Sequence, residues 1–223
     1  MRCLSRHWLQ VFTHALLLIL LAGCSIFQAP TTTPEIPLSQ EEKTKVWQDH
    51  LNSTAQIKSW LSAGKIAFRV PDDSATLSFR WARDHDHFHM QLTGPLGQGG
   101  AIIWKDKDRT TLKTADKTTH AADTDNLIYT QLGWQLPVKA LRYWVRGIPS
   151  PHSPSFKHFG SNGLLEKLSQ DGWLIHYLRY NIIDGSLLPE KVRLQYGNLS
   201  ITIIIKTWQL NPAINWSDYK LNK

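Results

Sequence analysis

The 223-residue chain carries a formal charge of +7, from 25 Lys and Arg against 18 Asp and Glu, and it contains two cysteines. This length fits a single domain. The basic residues are scattered and form no recognition motif, which argues against a nucleic-acid-binding protein. A modest positive excess suits a protein that works near an anionic membrane or meets an acidic partner.

The first segment of the chain has the pattern of an export signal. Arg2 and Arg6 precede an apolar run over 15–21, which is too short to span a bilayer with these flanks. The run ends in Leu-Ala-Gly-Cys, which resembles a bacterial lipobox, where the cysteine is lipidated and becomes the first mature residue. The alternative is an ordinary secretory signal that happens to contain a cysteine. We predict a signal peptide over 1–23 and lipid attachment at Cys24, with Ser25 implying outer-membrane sorting by analogy with bacterial lipoproteins.

Removal of residues 1–23 would leave Cys24 as the single cysteine, so no internal disulfide could form. The same cleavage removes two arginines and no acidic residue, which gives a mature charge of 7 − 2 = +5. The sequence QAPTTTPEIPLSQ over 28–40 is typical of an extended linker. We therefore predict a lipidated N-terminus and tether over 24–40.

A helix is predicted to begin near Ser39, because Ser39 and Glu42 have the spacing of a capping box. Apolar residues then recur at roughly helical spacing. They are Val46, His50 or Leu51, Ile57, and Trp60 or Leu61.

The period then changes to two, which indicates many antiparallel strands with one apolar face. The alternating segments cover residues 66–70, 75–81, 88–92, 110–114, 173–180, 192–196 and 199–205, and Ala101 to Trp104 also has the composition of a strand. Two short helices interrupt them. Asp123 or Thr124 could cap the first, which ends at Gly133, and Pro137 could open the second, which ends by Gly147.

A curved sheet needs its apolar face covered, and three helices are too few to cover a large sheet tightly. We therefore expect a hydrophobic cavity between the sheet and the helices. The candidate lining residues are Leu77, Phe79, Trp81, Phe88, Met90 and Leu92.

Motifs for catalysis or for cofactor binding are missing from the sequence, so we predict no enzyme, no cofactor and no metal. The sequence FGSNG over 159–163 has a serine between glycines but favours a turn. His85, His87 and His89 would share one face of a strand, which makes a metal site conceivable. Because Phe88 lies on the opposite face, the pattern favours a hairpin tip with solvent-facing histidines instead.

The turn Gly94-Pro95-Leu96-Gly97 has the sequence of a type I turn with a leucine at its tip. Loop tips normally lie in water and are polar. Leu96 therefore either folds back onto the core, which is the common outcome for an apolar residue, or is exposed for a contact.

Several segments of the chain resemble the LolB family of outer-membrane lipoprotein receptors. They are LTGPLGQGGAIIW over 92–104, LGWQLPVKALRYWVRGIPSP over 132–151, LEKLSQDGWLIHY over 165–177, LLPEKVRL over 187–194 and IKTW over 205–208. The resemblance extends from the helix around Trp47 to Trp208. It defines a domain over 41–209, followed by a tail over 210–223 that continues past where the family usually stops and to which we assign no role.

The resemblance implies an incomplete (half) antiparallel β-barrel with a helical lid over a hydrophobic cavity. It also implies a monomeric protein on the periplasmic side of the outer membrane of a Gram-negative bacterium. Such a protein takes lipoproteins from the periplasmic carrier LolA, binds their acyl chains and releases them into outer-membrane lipid. In this family a hairpin loop carries an exposed apolar residue that contacts the membrane, and Leu96 occupies that position. The alternatives are a periplasm-facing lipid hydrolase and a structural lipoprotein with a packed core.

Overall fold

The computed structural model describes residues 38–97, 100–132 and 136–219, with the side chains of Leu96 and Leu132 excepted. All of these residues fall in the unit that runs from Leu38 to Lys223. The predicted signal peptide, Cys24 and most of the tether lie outside the described residues and stay predictions. Among the residues that are described, no helix is long and apolar enough to cross a membrane.

Within the described residues, eleven antiparallel strands form a single sheet in the order β6-β5-β4-β3-β2-β1-β11-β10-β9-β8-β7. The strands are β1 (Ser59–Val70), β2 (Asp73–Asp84), β3 (His87–Thr93), β4 (Gly100–Asp106), β5 (Arg109–Lys113), β6 (Thr118–Ala121), β7 (Ser155–Phe159), β8 (Leu165–Gln170), β9 (Trp173–Ile183), β10 (Ser186–Tyr196) and β11 (Leu199–Leu210). The order shows two meanders of hairpins that meet where β1 pairs with β11. The sheet is open, because β6 and β7 are its two edges, and this confirms the incomplete barrel.

Three α-helices accompany the sheet in the described part of the chain: α1 (Gln40–Ala55), α2 (Thr124–Leu132) and α3 (Val138–Trp144). The start of α1 is confirmed, since the Ser39 hydroxyl accepts from the Glu42 N–H and the Glu42 carboxylate accepts from the Ser39 N–H at 2.7 Å. The Asp123 carboxylate caps α2 by accepting from the Asn126 N–H at 2.9 Å. Ile57 and Trp60 lie beyond α1, in the connection to the sheet and in β1, so their helical spacing does not reflect a longer helix.

The turns that connect the strands follow from local backbone chemistry. The β9–β10 hairpin turns at Asp184 and Gly185, with φ of 47° and 79°, and Asp-Gly is a preferred pair where both central residues need positive φ. The turn at 94–97 is also confirmed, since the Gly97 N–H donates to the Gly94 carbonyl at 3.2 Å.

Strands β1 and β11 join the two meanders through a close backbone contact. Their pairing shifts by one residue after Ala63, and a Cβ atom built on Gly64 would lie 1.9 Å from the Ile204 carbonyl oxygen. Only glycine allows this approach, which explains its place inside an otherwise regular strand.

The core lies on one face of the sheet, which we call the inner face. In the β2–β3 register, Phe79 pairs with Leu92 and Trp81 pairs with Met90, and all four side chains are buried on this face. Helix α3 covers the face with its own buried apolar residues, and the indole N–H of Trp144 holds the helix to β8 by donating to the Gln170 side-chain oxygen at 2.9 Å.

Candidate functional site

A small apolar cavity lies between the inner face and α3. Its lining residues are Ser62, Ile66, Phe79, Trp81, Met90, Leu92, Leu141, Val145, Ile203 and Ile205. Its volume is about 20 Å³, which is room for roughly one water-sized sphere. Helix α3 therefore forms a closed lid over this part of the sheet. The sheet wall beneath it is hydrophobic except for the Ser62 hydroxyl.

A larger apolar groove opens on the same face, at the end of the sheet where β3 is connected to β4. It has a volume of 420 Å³, and its apolar lining residues are Phe68, Val70, Ala75, Leu77, Leu92, Ala101, Ile103 and Leu199. Leu92 belongs to both spaces, and Gly100, at the base of the Leu96 loop, lines the groove as well. The apolar surface thus runs from beneath the lid to the loop that carries Leu96.

The structure brings together five of the six residues that the sequence suggested as cavity lining. Phe79, Trp81, Met90 and Leu92 border the closed cavity, and Leu77 borders the open groove. Phe88 is buried on the same face, but it lines a separate pocket of basic residues near the β2–β3 turn.

The cavity is also lined by sheet residues that were not predicted to lie there, namely Ser62, Ile66, Ile203 and Ile205. The same holds for two lid residues, Leu141 and Val145. Their spacing from Val138 in VKALRYWV is typical of one helix face, so the sequence does contain the signal. The sequence did not show which surface this helix face packs against, because the sheet residues that it covers lie far away in the chain.

The junction between α3 and α1 is held by a buried arginine. Arg146 donates from one guanidinium nitrogen to the carbonyls of Thr54 and Ile57, at 3.2 and 3.4 Å. Its guanidinium also lies over the Trp60 ring at 5.1 Å. Burial lowers the pKa of Arg146 to about 10.

The three candidate metal ligands His85, His87 and His89 do not converge. Across the part of the chain that the structure describes, no three metal-binding side chains form a group that could hold an ion. His85 lies in the β2–β3 turn with φ of 49°, as expected for a hairpin tip. His87 accepts from the Lys107 N–H at 3.2 Å and lies 3.2 Å from the Asp106 carboxylate.

The expectation that all three histidines face solvent is wrong for His89, which is only 8 % exposed. The C-terminal tail covers it, because a 3₁₀ turn over Trp216–Tyr219 places the Tyr219 ring 5.0 Å from the His89 ring. The tail is held at its start by Asn211, whose side-chain oxygen accepts from the Lys58 N–H at 2.8 Å. Burial lowers the pKa of His89.

Comparison with known proteins decides the family. The family model described as "Outer membrane lipoprotein LolB" matches residues 58–208. The chain belongs to the LolB family. A relative named outer-membrane lipoprotein LolB from Stutzerimonas stutzeri is 39 % identical over 194 residues, which cover 86 % of this chain and 92 % of that protein. One of the same name from Pseudomonas paraeruginosa is 35 % identical over 202 residues, with 90 % and 96 % coverage.

One solved structure agrees with this chain on the fold alone. A DUF1329 family protein from Desulfovibrio piger superposes with a TM-score of 0.51 at 8 % identity, covering 80 % of this chain and 98 % of that one. A LolA superfamily protein from Nitrosomonas europaea gives a TM-score of 0.48 at 9 % identity, with 75 % and 94 % coverage.

Membership of the LolB family makes the protein an outer-membrane lipoprotein of the lipoprotein-trafficking class and not an enzyme. The LolB match ends at Trp208, near the end of β11, so the tail that covers His89 lies outside the family's matched region.

Proposed function

We propose that this protein receives lipoproteins from a soluble LolA-like carrier in the periplasm and delivers them to the outer membrane. It acts as a monomer and holds the acyl chains between the inner face of the sheet and α3. The observation that carries the proposal is the apolar cavity beneath α3, whose walls continue through Leu92 into the open groove.

The free energy of hydrocarbon transfer explains why such a shelter is needed. Each CH₂ group of an acyl chain is worth about 0.8 kcal/mol on burial, so a lipoprotein with several chains exposes on the order of tens of kcal/mol in water. A cavity of 20 Å³ cannot hold even one chain, so α3 has to move away from the sheet when cargo enters. Apolar contacts of Leu141 and Val145 reseal the cavity after release.

The membrane end of the process rests on two further sites. A lipid on Cys24 anchors the protein through the tether, and Leu96 contacts the bilayer from the loop beside the groove. Burying one leucine is worth about 1.5–3 kcal/mol, which is enough for transient docking but not for anchorage. Cargo that leaves the groove at this loop would meet lipid without crossing open water.

The test is a transfer assay with two matched variants of one cavity residue. Purified protein is mixed with a lipoprotein-loaded carrier, and cargo is followed to the receptor and then to liposomes. Met90→Trp fills the space under α3 and should reduce cargo uptake several-fold, whereas Met90→Leu conserves volume and should transfer normally. Melting curves of both variants separate a filled cavity from a misfolded domain.

Failure of the unmodified protein to take cargo from the carrier would contradict the proposal, and so would equal uptake by a stable Met90→Trp variant. Release of free fatty acid from the cargo would favour the lipid hydrolase instead. A structural lipoprotein would neither take cargo nor release fatty acid.

A further inference from the structure

A further pocket lies on the inner face at the opposite end from the apolar groove, where β2 turns into β3. Its volume is 270 Å³, and its lining includes Arg83, Lys105, Lys139 and Arg142, with Asp86 and Phe88. We call it the basic pocket.

Positive charge exceeds negative charge in the basic pocket. Among the residues that the structure describes, Asp86 is the only acidic residue in the lining, and its carboxylate accepts from Arg142 at 2.6 Å while Arg83 approaches it at 3.7 Å. Lys139 is already paired with Asp123, outside the pocket lining. Arg83, Lys105 and Arg142 therefore share one carboxylate, which leaves an excess of 3 − 1 = +2.

Burial makes this excess costly. The side chain of Arg83 is only 5 % exposed, and its guanidinium lies 5.6 Å from the Phe88 ring and 5.8 Å from the Trp60 ring. Ring faces compensate a buried cation only in part. Burial, followed by the charge of Arg142, lowers the pKa of Arg83 to about 9. Within the described residues, the Nε atom of Arg142 is buried without a hydrogen-bond partner.

We propose that the basic pocket binds an oxyanion of the phosphate type, either free or carried on a lipid headgroup. A dianion matches the excess charge, and guanidinium groups match the oxygen geometry of phosphate through paired hydrogen bonds. The apolar wall of Phe88 and Val138 provides contact for the carbon part of a phosphate ester. The site goes beyond the proposed receptor role, because none of its lining residues borders the cavity or the groove proposed to hold the acyl chains.

The experiment is calorimetric titration of the full-length chain, in an uncharged detergent at low ionic strength, with inorganic phosphate. Lys105→Gln removes a half-buried pocket cation, and Lys65→Gln makes the same change at an exposed lysine on β1, outside the pocket. We expect one phosphate per chain for the unmodified protein and for Lys65→Gln, with affinity at least fivefold weaker in Lys105→Gln. Arg83→Gln should weaken binding tenfold or more.

Two results would overturn the site: no saturable phosphate binding by the unmodified protein, or equal affinity in Lys105→Gln and Lys65→Gln. If the Arg83→Gln variant unfolds, the comparison of Lys105→Gln with Lys65→Gln still tests the site. Parallel titrations with glycerol 3-phosphate and glycerophosphoglycerol, which carry no acyl chain, identify the source of the anion. Tighter binding of these headgroups than of inorganic phosphate assigns the site to lipid, and the reverse order assigns it to free phosphate. Because no cargo is present, this outcome is independent of the receptor proposal.

Discussion

At the scale of single residues, we predict that Leu96 serves delivery and contributes little to folding. Leu96→Glu places a charge where the proposed contact with lipid requires an apolar side chain. Delivery to liposomes should be lost while uptake from the carrier persists, because the cavity lies under α3. Because the proposal places the Leu96 side chain at the surface, the free energy of unfolding should change by less than about 0.5 kcal/mol.

Liposome delivery and a melting curve, measured together, check this prediction, with Leu96→Met as the apolar control. A large drop in melting temperature would mean that Leu96 belongs to the core, since burying a charge is strongly destabilising. Normal delivery by a stable Leu96→Glu protein would exclude the membrane contact.

Buried histidines give the protein a pH-dependent stability. Burial lowers the pKa of His50 and of His89 from the ordinary value of 6.5, and the charge of Arg146 further lowers that of His50. The unfolded chain therefore binds more protons than the folded protein between the lowered pKa values and 6.5. The stabilisation that the two neutral histidines give to the folded protein is complete above pH 6.5 and is lost as the pH falls below 6.5.

We predict that the free energy of unfolding is lower at pH 5.5 than at pH 7.5, as measured by denaturant titration at both values. His89→Gln removes one of the responsible groups and should lose less stability over this interval. His85→Gln is the control, since His85 lies exposed in the β2–β3 turn. An identical pH dependence in all three proteins would refute the assignment.

At the scale of elements, the contact of Gly64 with β11 controls how the two meanders join. Gly64→Ala would place a methyl group 1.9 Å from the Ile204 carbonyl oxygen, so the strands would have to separate. We expect the free energy of unfolding to fall by about 1–3 kcal/mol or more, since about 1–3 kcal/mol is the usual cost of overpacking. Gly160→Ala is the control, because its nearest neighbour is the flexible Asn162 side chain at 3.2 Å. Chemical denaturation compares them, and equal losses would argue against a special role for the β1–β11 contact.

Elements with clear periodicity were predictable from the sequence, whereas edge elements were not. The capping box of α1 and the alternation of β2 and β3 depend on residues that are close in sequence, so they could be predicted from the local sequence alone. Strand β7 has the sequence SFKHF with four exposed residues, and β6 is a four-residue edge strand without a buried residue, so neither carries a clear apolar pattern. In β8 the buried residues Leu165 and Leu168 are three apart, which resembles a helix more than a strand.

The candidate site also has a part that was predictable from the sequence and a part that was not. Alternation identified the sheet wall from Leu77 to Leu92, because side chains two apart share a face. It could not identify what covers that wall, since Leu141 reaches it through tertiary packing. The burial of Arg83 and His89 also escaped prediction, because Arg is rarely buried and the cover of His89 comes from the tail.

At the scale of the whole molecule, we predict that the anchor and the binding site act separately. The family match begins at residue 58, well after the predicted lipid attachment at Cys24. A form that lacks residues 1–24 should therefore fold and take cargo from the carrier like the full-length protein, but it should be recovered in the soluble fraction. Circular dichroism, fractionation and the transfer assay check this prediction. Loss of cargo uptake by the folded, truncated protein would show that the anchor takes part in transfer.

The pairing of β1 with β11 also determines how the domain responds to mechanical force. Trp60, near the start of β1, pairs with Leu210, at the end of β11, so the two chain ends leave the sheet side by side. Hydrogen bonds of an antiparallel pair run perpendicular to the strands, so tension between these ends would load one residue pair at a time. The strands would then unzip at low force and release the two meanders from each other, whereas tension on β1 alone, along its length, would have to shear its whole ladder at once.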